Sequence, residues 1–149
     1  MDTNEILGKY AAGRRNFTRI TLAEMNLSSA NLSDIDLSGA ILTGVKLSGA
    51  NLSGADLLCA DLSWGFMPGV NLTGANLKYA DLIRANLRIA NLHRADLYRA
   101  NLHEADLSGA NLSGANLKYA NLSGAILNRV NLAGANLSGV TMPDGTTHN

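Results

Sequence analysis

The chain holds one cysteine, Cys59, so neither an intrachain disulfide nor a thiolate metal cluster can form. Aromatic residues make up 5% of it, which argues against a globule built around a three-dimensional core. Charge of one sign is missing too: twelve basic and twelve acidic residues leave a formal net charge of zero. Such a balance gives no whole-molecule attraction to nucleic acid or to an anionic membrane. No stretch approaches the roughly 18 apolar residues of a membrane-spanning helix. The first residues, Met1-Asp2-Thr3-Asn4-Glu5, lack the basic and apolar regions of a secretory signal, and a cytoplasmic protein is expected.

What the sequence has instead is a period of five. Stepping by five from 17 to 142 gives 26 sites, of which 23 are Leu and the others Phe17, Met67 and Met142. Two residues before each Leu, the 25 sites from 20 to 140 hold 17 Ala, four Val, two Ile, Met25 and Gly65. One residue before each Leu, 20 of 26 sites are Asn or Asp. An α-helix would scatter this period around its circumference and a strand would flip it from face to face. Only a chain that turns at a fixed interval keeps every Leu on one side, so each pentapeptide is one edge of a coil. The frequent Ser-Gly or Thr-Gly at the last two positions is turn chemistry. Asn and Asp suit a corner because they bond local backbone groups.

Three zones follow. Residues 1–14 lie outside the repeat: Asp2, Thr3 and Asn4 are candidate N-caps, and Ile6, Leu7 and Tyr10 follow at helical spacing, which predicts a short cap over the first coil. Residues 15–142 form the solenoid. Residues 143–149 are a polar, turn-forming tail, expected to be partly disordered.

Units such as Ala110-Asn111-Leu112-Ser113-Gly114 resemble the pentapeptide repeat family over about 128 of the 149 residues. The ends, including Gly13-Arg14-Arg15-Asn16-Phe17 and Met142-Pro143-Asp144-Gly145, look like those of bacterial, cyanobacterial-type members. The resemblance implies an all-β fold: a right-handed quadrilateral β-helix with four pentapeptides per coil. On that reading the 26 units make 6.5 coils. At roughly 4.8 Å per coil the rod is about 31 Å long.

Residues 20 apart then stack in columns. Asn31, Asn51, Asn71, Asn91, Asn111 and Asn131 are expected to form an amide ladder. Tyr79, Arg99 and Tyr119 fall in one column, with Lys78, Tyr98 and Lys118 beside them; Arg over a Tyr ring is a plausible cation–π arrangement. Trp64, Arg84 and Glu104 line up on the next face. The unit Gly65-Phe66-Met67-Pro68-Gly69 departs from the pattern and reads either as a bulge covered by Trp64 and Phe66 or as a docking patch. The candidate partner surface is therefore Trp64, Phe66, Lys78, Tyr79, Arg84, Tyr98, Arg99 and Tyr119, set against the plainer reading that these are neighbour pairs stabilising exposed strands.

No catalytic, cofactor-binding or metal-binding residues are expected. His93 and His103 are half a coil apart, on opposite sides of the rod. The stacked pairs Asp36/Asp56 and Asp61/Asp81 could raise one carboxyl pKa or attract a cation, but corner hydrogen bonding explains them better. The glycines belong to turns and not to a phosphate-binding loop. The expected function is a non-enzymatic structural or protein-interaction module with an unknown protein partner. The resemblance brings an alternative, since some members protect topoisomerases by mimicking DNA with a strongly acidic surface; the zero net charge argues against it. Direct nucleic-acid binding is weakly favoured at best, because residues 78–104 carry Lys78, Arg84, Arg88, Arg94 and Arg99 against Asp81, Asp96 and Glu104. An uncovered last coil would expose Leu137, Met142 and strand edges, which predicts a homodimer through the C-terminal coils.

Overall fold

Helix α1 (Thr3–Ala11) begins at Asp2, whose side chain accepts from the Glu5 N–H at 2.8 Å and so caps the orphan donors of the first turn. The computed structural model describes all residues, Met1–Asn149. Ile6 is completely buried, and Leu7 and Tyr10 pack against the same core. The Tyr10 hydroxyl donates to the Ser33 carbonyl at 2.7 Å, which ties the helix to the coil beneath it. Arg15 stacks on Tyr10 and Arg14 on Phe17, closing the joint where the helix hands over to the repeat.

From there every unit repeats one hydrogen-bond scheme. Twenty-two parallel bridges pair residues 20 apart, from Asn16–Asp36 to Asn121–Thr141, so four units complete one turn of the coil. In a central unit the main-chain donors can be followed one by one. Asn111 N–H bonds Ala90 O on the coil before, while Leu112 and Gly114 N–H bond Asn131 O and Ala133 O on the coil after. Ala115 N–H returns to Leu112 O at 3.1 Å and closes a β-turn. One donor is left, the N–H of Ser113, and it takes Asn111 Oδ1 at 3.0 Å. Buried or half-buried N–H groups need partners, and this explains the Asn/Asp column: its side chain serves the one amide that the ladder cannot reach. The lateral amide ladder is only partial. Asn51 and Asn71 donate to the Asn one coil earlier at 3.3 and 3.4 Å, but no such bond joins Asn91 or Asn111 to the Asn before it. Bonding to the local backbone takes precedence because it is short, fixed by the turn, and available in every unit.

The fourth residue of every unit from 19 to 139 has a left-handed backbone, with φ between 52° and 71°. With the bond across the turn, this is the signature of a type II turn. Inside, the Leu and Ala columns form one core of 42 buried residues.

The irregular unit is not a bulge. Phe66 bridges both Lys46 and Asn86, and Phe66, Met67 and Gly69 donate to the neighbouring coils at 2.8–2.9 Å like any other unit. Two compensations keep it regular. Phe66 offers no acceptor to the third residue of its unit, but that residue is Pro68, which has no N–H to satisfy. The chain's other proline, Pro143, likewise follows a unit position without Asn or Asp, namely Thr141. Gly65 in turn makes room for Met67: a Cβ there would stand 3.0 Å from the Met67 Cε.

The two ends differ. Phe17, Leu22, Leu27 and Leu32 beneath α1 are at most 1% exposed, whereas Leu127, Leu132, Leu137 and Met142 at the far end are only partly buried. The N–H groups of Leu127, Arg129, Leu132, Gly134 and Leu137 find no main-chain acceptor. The tail covers part of this edge, against the expectation of disorder. It turns at Gly145 and pairs back antiparallel, with Met142 N–H on Thr146 O at 2.7 Å and His148 N–H on Val140 O at 2.8 Å.

Candidate functional site

The side chains of the third and fourth residues of each unit point outward, and large ones gather in the middle coils. The eight residues singled out from the sequence fall into two groups that share no ring contact, hydrogen bond or ion pair.

The first group is a tyrosine face made of Lys78, Tyr79, Tyr98, Arg99, Lys118 and Tyr119. The expected row of Tyr79, Arg99 and Tyr119 is modified by Tyr98, which swings between the columns. Its ring meets Tyr79 edge-on at 5.7 Å and Tyr119 at 5.9 Å, so three rings run continuously over three coils. Arg99 lies over Tyr98 and Tyr119, at 5.5 and 5.1 Å, and its Nε donates to the Tyr98 hydroxyl at 3.2 Å. That hydrogen bond, with the nearby phenols, raises the Arg99 pKa above its usual value. Lys118 stands 5.2 Å from the Tyr119 ring, and the Tyr119 ring lies across Gly139, where a Cβ would collide with it. Of the three cations only Lys78 reaches a carboxylate, Asp96 at 4.0 Å.

Towards the amino end the same face drops into an open trough of about 450 Å³ lined by Thr18, Arg19, Ser38, Gly39, Leu58 and Cys59. The trough exists because the Ser38-Gly39 unit is small while Arg19 and Tyr79 rise on either side.

The second group surrounds Trp64, which is 58% exposed. Arg84 lies 4.8 Å above the indole and is paired with Glu104 at 2.5 Å; the ring of His103 reaches the same carboxylate at 3.4 Å. Phe66, 49% exposed, sits around the corner on the next face. That face also carries Ile89, the most exposed large apolar residue at 69%, and Arg88, which donates to Asp106 at 3.2 Å. Sequence reasoning passed over Ile89. A signal existed: Ile89 occupies the fourth position of its unit, where Gly is the easy choice.

The aspartates are bonded locally. Burial acts to raise the Asp61 pKa, but hydrogen bonds from Ser63 and Thr43 outweigh it and the carboxyl titrates below its ordinary value. At Asp106 burial is likewise outweighed, by Ser108 and Arg88. Stacking Asp61 on Asp81 therefore does not raise the Asp61 pKa. His93 and His103 point from opposite faces, each to a Ser one coil later, Ser113 at 2.8 Å and Ser123 at 2.7 Å. No three His, Cys, Asp or Glu side chains converge as a metal site would need. No helix is long and apolar enough to cross a membrane.

The sequence model of the pentapeptide repeats matches in eight copies between residues 16 and 142. No curated protein matches the chain. Among solved structures, the chain is similar to HetL, a pentapeptide repeat protein involved in heterocyst differentiation regulation in the cyanobacterium Nostoc sp. strain PCC 7120. The two are 32% identical over 99% of this chain and 100% of that one, with a TM-score of 0.50. It is also similar to Rfr23 from the cyanobacterium Cyanothece 51142, at 30% identity over 90% of this chain and 95% of that one, with a TM-score of 0.36. A trypsin-treated form of QnrB1, a plasmid-mediated fluoroquinolone resistance protein, shares the fold at 22% identity and a TM-score of 0.53, over 87% of this chain and 78% of that one. Repeat, hydrogen-bond scheme and comparisons agree: the chain belongs to the pentapeptide repeat family, whose members fold as right-handed quadrilateral β-helices.

Proposed function

We propose that this protein is a non-enzymatic interaction module that holds a protein partner on the side of its rod, through the tyrosine face and the Trp64 corner. The observation that carries the reading is backbone strain. A non-glycine residue in the left-handed region costs about 1–2 kcal/mol, and Gly or a small polar residue occupies most such turns in the flanking coils. Yet six successive turns, at Tyr79, Arg84, Ile89, Arg94, Arg99 and Glu104, hold no glycine, and β-branched Ile89 has a φ of 52°. Strained positions persist where the surface they build has a use. The rings and Ile89 are also exposed, so burial does little to offset the cost.

The Trp64 corner supports the same reading. Phe66 has displaced the acceptor normal at its position, and Pro68 has removed the amide that needed it. An aromatic side chain is thereby placed beside Trp64 without damage to the ladder.

A DNA-mimicking role is disfavoured, because the broad tyrosine face is cationic and the formal net charge is zero. The open carboxyl end, with five unpaired N–H groups beside half-buried Leu127, Leu132 and Leu137, supports a second proposal, a dimer of two such ends. Light scattering on the full chain at high concentration tests it, and a monomer removes it.

The surface reading is tested by exchange. Lys78→Ser, Tyr79→Gly, Tyr98→Ser, Arg99→Gly, Lys118→Ser and Tyr119→Gly together give the tyrosine face the Ser-Gly turns of its neighbours. A partner identified by cross-linking in the native host is expected to bind the original chain and not the exchanged one. Equal capture by both would refute the reading for this face.

A further inference from the structure

We infer that the tyrosine face takes an extended, acidic polypeptide segment, one whose Asp or Glu residues alternate with apolar ones; this rests on the protein-binding reading above. Three features point to that chemistry. Arg99 and Lys118 have no carboxylate within 4.0 Å, unlike Arg84 and Arg88 on the neighbouring faces, so their charges are available to a ligand. Arg99 is nonetheless held in place by two tyrosine rings and the Tyr98 hydroxyl, and a positioned guanidinium suits a carboxylate in bidentate geometry. Beside this cationic ridge lies the trough floored by Leu58 and Cys59, wide enough for an apolar side chain and closed at its far end by Arg19. One segment running along the rod axis meets cations, ring faces and the trough in turn, with Arg19 at the end.

Nucleic acid fits less well. The edge of this same face carries Asp36, Asp56 and Asp96 in one column, beside the cations and parallel to the axis. A polyanion following the rod would run against three carboxylates for the sake of two unpaired cations. A peptide chain is neutral along its backbone and presents carboxylates only where its side chains put them, so it escapes that repulsion.

The experiment pans a displayed library of short random peptides against the full chain and, in parallel, against the six-residue Ser-Gly exchange. Enriched peptides are then synthesised and titrated by fluorescence anisotropy, with oligo(dT) as the competing probe. The expected result is enrichment of peptides carrying two or more Asp or Glu among apolar residues. Their binding should weaken at high salt and fall about tenfold in Arg99→Gln/Lys118→Gln, which keeps all three rings. Enriched peptides without an acidic surplus, lost on the exchanged chain, would overturn this inference and leave the protein-binding reading standing. Enrichment that is identical on both chains would overturn both. Displacement by oligo(dT) at equal concentration would overturn the inference in favour of nucleic acid, and self-association of the chain abolished by the exchange would overturn it in favour of a second copy.

Discussion

Restoring the irregular unit should be cooperative. Gly65 is the one site in its column without a Cβ, and Met67 is one of two Met in the Leu columns, fully buried between Leu47 and Leu87. A Cβ built on Gly65 lies 2.9 Å from the Leu62 carbonyl oxygen and 3.0 Å from the Met67 Cε. The first contact faces a backbone that tolerates a Cβ in every other unit. The second is peculiar to this one. Gly65→Ala alone gains about 0.5–1 kcal/mol by restricting the unfolded chain and loses about 1–3 kcal/mol to overpacking, a net destabilisation of about 1 kcal/mol. Met67→Leu alone nearly conserves volume and should cost less than about 1.5 kcal/mol. Together the two changes rebuild the regular unit: the collision disappears, the cavity is filled, and the entropy gain remains. Urea titration of the four proteins in a double-mutant cycle is expected to give a favourable coupling of about 1–2 kcal/mol. Additivity within about 0.5 kcal/mol would refute the claim that Gly65 and Met67 compensate each other.

Leu87→Ala should cost about 2–4 kcal/mol in urea, since Met67 and Leu107 both lose a stacked neighbour, whereas Ser53→Ala, whose hydroxyl makes no side-chain bond, should be near neutral. Asn111→Ala strands the Ser113 N–H and should cost about 1 kcal/mol; Phe66→Asn should gain nothing in return, because Pro68 has no N–H to offer. Thermal melts from neutral to acid pH should show a loss of stability attributable to Asp61 and Asp106. Both carboxyls titrate below their unfolded value of 3.8, so their stabilisation is present above about pH 4 and is lost as the pH falls through the lowered folded values. A loss centred between about pH 5 and 6 would point to histidines instead.

The coil was legible because its cause is strictly periodic. Leu every fifth residue can face one way only if the chain turns every fifth residue, and the stacking of residues 20 apart follows once four units close a turn. Handedness was supplied by resemblance, since the period of five does not contain it. The Asn/Asp column was legible in kind but not in detail: its local bonding follows from residue type, while the competition that leaves the amide ladder incomplete depends on distances. Pro68 looked like a disturbance because its effect on a hydrogen-bond donor becomes visible only when every donor in the unit has been followed. Tyr98 was placed in the right column but not in its contacts, because whether a ring leans across to the neighbouring column depends on what Arg99 and Tyr119 leave open. The tail read as loose because seven polar residues carry no periodicity; the bond that brings it back, from Met142 to Thr146, is a single turn at Gly145.

The central claim is that the large turn residues of the tyrosine face serve binding and not the fold. The melting temperature of the six-residue Ser-Gly exchange tests it directly. Three glycines relieve about 1–2 kcal/mol of left-handed strain each. Against this stand about 0.5–1 kcal/mol each for the added unfolded-state freedom, and about 0.5–1.5 kcal/mol for each of the two ring pairs lost. These offset one another, so the exchanged chain is expected to melt within about 5 °C of the original. A fall of more than about 15 °C would mean that the rings hold the coils together, and would contradict the account.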